Sequence, residues 1–522
     1  MNWVLIALLV VPLVGALVVT FLRKDDTKAK FVALAFSLVE LVLAGLLWFA
    51  YDPDGDRLQL TSGVTWIESF GVRLSFGIDG IALVMIAVIA LLIPLVIGAG
   101  WTERLPEGRS QGGYLALILV QEAVTVAVFA ATDVFLFYVL FEVMLIPMYF
   151  LIGGYGGARR QYAAVKFFLY SFLGGLIMLA SAIGAYAMAV DELGKGTFDW
   201  ATLVTVVRDA DPTTQTWLFL GFFLAFAIKA PLVPFHTWLP DAAAEAPIGV
   251  TVIVVGILDK VGTFGMLRYL LPMFPEASKN LAPYILVLAV AGVLYGSLLA
   301  TGQRDMKRFL AYVSIAHFGF IALGIFAFTS QAGVGSVSYM LNHSISTGML
   351  ILVVGMIIAR GGSSLISDYG GMSKVAPLLA GMLLLSGLTT LSLPGTNSFV
   401  SEFLVLIGSF PTQPVFTVLA TIGMVLAALY VLWLYQRMMT GPLRGDALVG
   451  AAAGPGAVGD PERKTAIGDL NKREIAVLAP LVVIVLALGF YPQPVLDVIT
   501  PTVGATLTEV GVTDPVSVQE GK

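Results

Sequence analysis

Residues 220 to 242 read LGFFLAFAIKAPLVPFHTWLPDA, and this stretch decides what kind of protein the chain is. An apolar run typical of a membrane crossing carries Lys229 in its depth and then meets Pro231, Pro234 and Pro240, each of which lacks the backbone donor of an unbroken helix. A buried lysine costs about 2.5 to 3.5 kcal/mol even on the mildest insertion scale, so it is a functional hypothesis by default. Irregular backbone at membrane depth is tolerated only where protein or a watery cavity surrounds it. The stretch therefore predicts a broken helix beside an ion path.

Composition agrees with that reading. Of 522 residues 58% are hydrophobic and 12% charged, with a mean hydropathy of +0.92, too few charges to dress a water-exposed surface. The absence of cysteine excludes disulfides, thiolate metal sites and protein-ligated iron-sulfur clusters. Apolar runs of about 20 residues, the length that crosses a bilayer core, place fourteen spans along the chain. The first lacks a preceding basic residue and is followed by Arg23, Lys24, Asp25 and Asp26, so it reads as a retained span. The expected fold is an all-α polytopic membrane protein, and the tail after Tyr491 reads as a small external flap.

Basic residues orient the map. Of the 29 Lys and Arg, 27 can be assigned to loops, termini or the end turns of spans, and most fall in loops after odd-numbered spans. The positive-inside rule then puts those loops in the cytoplasm and both termini outside. Arg268 is counted with its adjoining loop, and only Lys229 and Lys260 remain deep within spans.

A second interruption matches the first. TTLSLPGTNSFVSEF places Pro394 and Gly395 inside span 12 (378–410), shortly before Glu402, and spans 7 and 12 run in opposite directions. Broken helices in corresponding positions suggest two inverted five-helix repeats, spans 4–8 and 9–13. The expected division is 1–112 for the first three spans, 113–271 and 282–438 for the repeats, 439–471 for a cytoplasmic linker, and 472–522 for the last span and an external tail.

Six buried sites stand out: Glu40, Glu122, Glu142, Lys229, Asp259 with Lys260, and Glu402. Glu142, in FLFYVLFEVMLIPMYFLIG, cannot snorkel and needs a partner or a proton; a pair with Lys229 would favour both charged forms. Such a pair could equally be a static bridge between helices. Asp259 adjoins Lys260 in sequence, but neighbours point about 100° apart on a helix, so an intrahelical pair is not expected. All three histidines, His236, His317 and His343, lie in or beside spans and suit proton relay near neutral pH. Glu40 and Glu122 fit helix packing as well as transport.

Taken together, KAPLVPFHTWLPDA, GILDKVGTFGMLR, QRDMKRFLAYVSIAHFGFIALGIFAF, YMLNHSISTGMLILVVGM and LPGTNSFVSEFLVLIGSF resemble the antiporter-like membrane subunits of respiratory complex I, most closely the NuoM type. The resemblance implies a gating pair in Glu142 and Lys229, a central relay at Lys260 continued by His317 and His343, and a terminal site at Glu402. The sister NuoL and NuoN types and the Mrp antiporters generally carry lysine at that last position. Two departures are Ala243, where the family often has histidine, and Asp259, where an apolar residue is usual.

The implied function is proton translocation in the bacterial cytoplasmic membrane, driven by redox chemistry in partner subunits. The chain itself would carry no cofactor, with NADH, flavin, iron-sulfur clusters and quinone on its partners, among them NuoL-type and NuoN-type subunits. Three readings compete: an Mrp-like cation/proton antiporter, a haem protein using His317 and His343 as axial ligands, and a passive scaffold between pumping subunits.

Overall fold

The computed structural model describes residues 3–22, 24–103, 105–449 and 468–514. The expected linker lies largely outside the described residues, at 450–467. Among the described residues twelve helices are long and apolar enough to cross a bilayer. They begin with α1 (Trp3–Phe21), α2 (Asp26–Ala50), α3 (Gly80–Thr102), α4 (Gln111–Ala130), α5 (Val134–Tyr155) and α6 (Arg160–Leu193). A short helix, α7 (Trp200–Arg208), leads into the first interrupted crossing, α8 (Pro212–Lys229) and α9 (Trp238–Glu245). Then come α10 (Ile248–Met273), α11 (Pro275–Thr301), α12 (Met306–Ile325) and α13 (Ser330–Gly361). The second interrupted crossing is α14 (Pro377–Thr390) and α15 (Asn397–Ser409), followed by α16 (Pro414–Met439), α17 (Lys472–Phe490) and α18 (Gln493–Val510).

Both breaks fall where the prolines put them, and each is closed by side chains. α8 starts from Asp211, whose carboxylate accepts from the backbone N–H of Thr213 and Thr214 at 3.0 and 3.1 Å. Hydrogen bonds from Thr214, side chain and backbone, hold this exposed carboxyl below its usual range. At the other end α8 stops at Lys229, and the Trp238 indole donates to the freed carbonyl of Ile228 at 2.8 Å. The second break turns through Ser392 and Gly395, with φ of 63° and 92°. Glycine adopts that region freely; serine does so at a cost.

Polarity is inverted relative to a water-soluble bundle. The outward faces of α1, α2, α6, α16 and α17 expose large apolar residues such as Phe31, Val42, Phe49, Leu173, Val425 and Val483. A surface so apolar suits lipid. The interior instead collects polar groups: α10 and α13 are buried for almost their whole length and carry Asp259, Lys260, Asn342 and His343. Two π-helical turns, Val254–Leu258 and Met266–Leu270, interrupt α10 on either side of Lys260. Such turns leave carbonyls out of register with the α ladder and available to side chains.

Three features differ from the sequence reading. The connection after α2, read from the sequence only as a loop, is an antiparallel hairpin of β1 (Gln59–Ile67) and β2 (Val72–Ile78). Thr61, Val64, Thr65, Trp66 and Ile67 supply its β-forming residues. The tail after Tyr491, expected as a small flap, is a packed helix. Its helix α18 buries Val495, Val498, Ile499, Thr502, Val503 and Thr506, and Thr502 accepts a hydrogen bond from the backbone N–H of Gly80 at 3.0 Å. Arg268, placed in the end turn of its span and counted with the adjoining loop, is buried inside the helix.

Gly262 lets α10 approach the first break closely. A Cβ there would lie 2.5 Å from the carbonyl oxygen of Phe226 and 2.6 Å from the nitrogen of Ala230. Because backbone cannot yield as a flexible side chain does, Gly262→Val should cost about 1 to 3 kcal/mol by overpacking. A lower thermal midpoint of the purified protein, read by fluorimetry in detergent, checks this; an unchanged midpoint would show that the two segments can move apart.

Candidate functional site

The buried charges from Glu142 to Glu402 that the sequence singles out fall into two groups. The first surrounds the end of α8. Lys229 Nζ lies over the rings of Phe141 and Phe167, 4.9 and 5.4 Å from their centroids, and has no hydrogen-bond partner among the described residues. Neither carboxylate oxygen of Glu142 has one. The two side chains are close enough to feel each other's charge, yet the contact pair anticipated from the sequence is not formed. Gly175 on α6 supplies the reason. A Cβ at Gly175 would overlap Glu142 Oε1, so this glycine forms a notch that receives the carboxyl. A buried charge without a partner tends to neutralise instead, so this open arrangement is suited to a proton arriving or leaving.

The second group begins at Lys260. Its Nζ donates to the carbonyl of Val255 at 2.6 Å and lies 2.6 Å from Nδ1 of His343. The carbonyl is available because Val255 belongs to the π turn preceding Lys260. Asp259 Oδ1 also lies 3.0 Å from Nζ. The neighbouring pair not expected from helix geometry is therefore present: Cα–Cβ directions diverge, but four methylenes let the lysine fold back along its own helix. An ammonium can only donate, so against Lys260 in its charged form His343 accepts at Nδ1 and carries its proton on Nε2. That Nε2 has no partner among the described residues.

From His343 the row continues. The His317 ring stands 5.2 Å from that of His343 and nearly perpendicular to it, and 5.7 Å from the ring of Tyr339. The Tyr339 hydroxyl donates to Glu402 Oε2 at 3.2 Å, and the Ser392 hydroxyl donates to the same oxygen. Glu402 is thus tied to both the break and α13. His236 is not brought into this row; its ring packs on Tyr295 at 5.1 Å, near Lys166, whose Nζ lies 2.7 Å from Asp241. Arg308 meets the other oxygen of Asp241 at 2.5 Å. Glu40 and Glu122 are buried, and none of their four oxygens has a partner among the described residues. No group of three or more His, Asp or Glu that could hold a metal ion occurs among the described residues.

The family model for the NADH:quinone oxidoreductase/Mrp antiporter transmembrane region matches residues 131–428, which includes both breaks and both groups of charges. The chain belongs to this family. Among its relatives is NADH-quinone oxidoreductase subunit M of Mycobacterium tuberculosis, 45% identical over 97% of this chain and 94% of that protein. A chain of respiratory complex I from Thermus thermophilus with bound NADH superposes with a TM-score of 0.85 at 28% identity, covering 97% of this chain and all of that one. A chain of the Mrp complex from Dietzia shares the fold, with a TM-score of 0.82 at 21% identity over 98% of this chain and 99% of its own.

In this member of the family the sequence reading missed several polar residues. Asn342 on α13 donates to the carbonyl of Asn397 at 2.9 Å, and Asn397 returns a hydrogen bond to Asn342 Oδ1 at 3.1 Å. Ser346 donates to Asn397 Oδ1 and meets Ser398. These bonds fasten the start of α15 to α13 beside His343. Serine and asparagine in spans carry weak functional signals individually; only their spacing against TNSFVS could have drawn notice.

A third buried cation was missed. Arg268 Nε donates to Asp79 Oδ2 at 2.8 Å, both side chains are fully buried, and the Trp200 and Phe264 rings pack on the guanidinium. Asp79 also caps α3 by accepting from Ala82. Removing one partner leaves a buried charge, which typically costs about 3 to 5 kcal/mol, whereas replacing both can be nearly neutral. Asp79→Leu should therefore sharply reduce the yield of assembled complex, and Asp79→Leu with Arg268→Met should recover much of it, as measured by native electrophoresis of membranes. Equal losses in the single and double variants would assign the pair a role beyond mutual neutralisation.

Proposed function

We propose that the chain is a NuoM-type, proton-translocating subunit of NADH:quinone oxidoreductase, without redox chemistry of its own. The observation that carries this reading is the 2.6 Å contact between Lys260 and His343, because it joins charged groups from the two expected repeats, 113–271 and 282–438, into one row. The relatives' names and the complex I likeness support the assignment to that assembly. NADH, flavin, iron-sulfur clusters and quinone belong to partner subunits in this reading, and NuoL-type and NuoN-type subunits are neighbours. The setting is the bacterial cytoplasmic membrane, with both termini outside.

A proton enters near Glu142 and Lys229. Bringing the Glu142 carboxylate to Lys229 raises the lysine's proton affinity; withdrawing it into the Gly175 notch lowers that affinity and releases the proton. Lys260 passes its proton to His343 Nδ1, and the imidazolium so formed can release its other proton from Nε2. His317 carries it on, and Glu402 is the terminal acceptor. Asp259 stays beside Lys260 and offsets part of the ammonium's desolvation cost. Strongly interacting groups titrate as a set, so the unit of function is the row.

In inverted membrane vesicles, Glu402→Gln and Glu142→Gln should each lower NADH-driven proton uptake while the complex remains assembled. Wild-type uptake in both variants would end this reading. An Mrp-like exchanger, in contrast, would move cations against protons across liposomes containing the isolated chain with no electron donor present. Absence of such exchange is the expected result.

A further inference from the structure

The row of acid–base groups has a gap between His317 and Glu402, and the residue lying in that gap is Tyr339. We propose that the Tyr339 hydroxyl is a proton-conducting member of the path, handing protons from the His317 side to Glu402. This inference rests on the reading of the row given under the proposed function and adds a residue to it.

Four observations converge on Tyr339. It sits on α13, one helical turn before His343, so both side chains leave the same face of a helix that is buried along this part. Its ring is tilted 37° against that of His317 at 5.7 Å. The hydroxyl donates to Glu402 Oε2 at 3.2 Å, so the donor end of the phenol already addresses the terminal carboxylate. His317 Nδ1, by contrast, is buried and without a partner among the described residues, leaving one ring nitrogen free for relay. The bland alternative is that Tyr339 serves only to hold Glu402. Ser392 already donates to the same oxygen, however, from a backbone position of positive φ that few serines adopt. With Ser392 fixing the carboxylate, the contribution left to Tyr339 is its position between ring and acid.

The step requires one water between His317 and the phenol, which relays a proton and is left unchanged, and it consumes no reagent. Tyr339 O–H gives its proton to a Glu402 carboxylate oxygen while the phenolic oxygen takes a proton from protonated His317, through one bridging water. One O–H bond breaks and one forms at the phenol, Glu402 becomes neutral, and His317 returns to neutral imidazole. No tyrosinate accumulates, because gain and loss are concerted. The titratable groups facing this phenol are Glu402 from α15, His317 from α12 and Tyr430 from α16, with Lys260 beyond His343 from α10.

The test uses the assembled complex in vesicles and compares Glu402→Gln, Tyr339→Phe and replacement of Tyr339 by fluorotyrosines of graded acidity. Tyr339→Phe should slow proton passage by roughly 10²-fold, the scale of losing a positioned acid–base group, with the complex intact. The pH profile of pumping should shift in step with phenol acidity across the fluorotyrosines. If Glu402→Gln pumps normally, the row itself is wrong. If Glu402→Gln fails but Tyr339→Phe pumps normally, the row stands and the relay is overturned. If Tyr339→Phe fails while the fluorotyrosines leave the pH profile unmoved, Tyr339 is a positioning residue, which also overturns the relay.

Discussion

Lys260 and His343 meet at 2.6 Å in a region from which lipid and bulk water are excluded. An ammonium in such a place must find acceptors, and α10 provides one by abandoning the α ladder for a π turn at Val254–Leu258. Much of the surrounding architecture follows from that need. α13 must be buried to present His343, the break between α14 and α15 must be bolted to α13 by Asn342 and Asn397, and Gly262 must be small enough for α10 to touch the end of α8. The apolar exterior and the polar interior are the two sides of this single constraint.

The two interruptions use different closures for the same difficulty. At α8 an indole nitrogen takes the freed carbonyl, and aromatic faces receive the Lys229 charge; such cation–π contacts contribute about 0.5 to 2 kcal/mol each. At the second break amides and hydroxyls do the corresponding work around Glu402. A cation is thus surrounded by π electrons and an acid by hydroxyl donors. Each environment suits the charge it holds without neutralising it permanently.

Much of this was legible in the residues because lipid makes harsh demands. Apolar runs, prolines at depth and the rarity of charge located the crossings, both breaks and the residues Glu142, Lys229, Lys260 and Glu402. Arg268 escaped notice because it lies near the end of a span, where basic residues usually reach water; its burial depends on Asp79, 189 residues away. Tyr339, Ser392 and Asn342 escaped because hydroxyls and amides are common in spans and cost little individually. The ion pair of Asp259 with Lys260 runs against an ideal-helix argument that π turns and a flexible side chain defeat. Helix α18 mixes threonine, proline and valine, so no apolar run announced it, and only tertiary contact reveals its buried face.

That helix bears on how the molecule is made. The first turn of α3, formed early in synthesis, has its Gly80 N–H satisfied by Thr502, which lies 422 residues further along. Arg57, ahead of the hairpin, likewise pairs with Glu509 and donates to Thr506. Until that distant segment emerges and packs, the α3 end of the bundle lacks its native partners, however completely the rest has inserted. A chain ending before residue 493 would hold every membrane-length helix among the described residues and still lack the Thr502, Thr506 and Glu509 partners of Gly80 and Arg57.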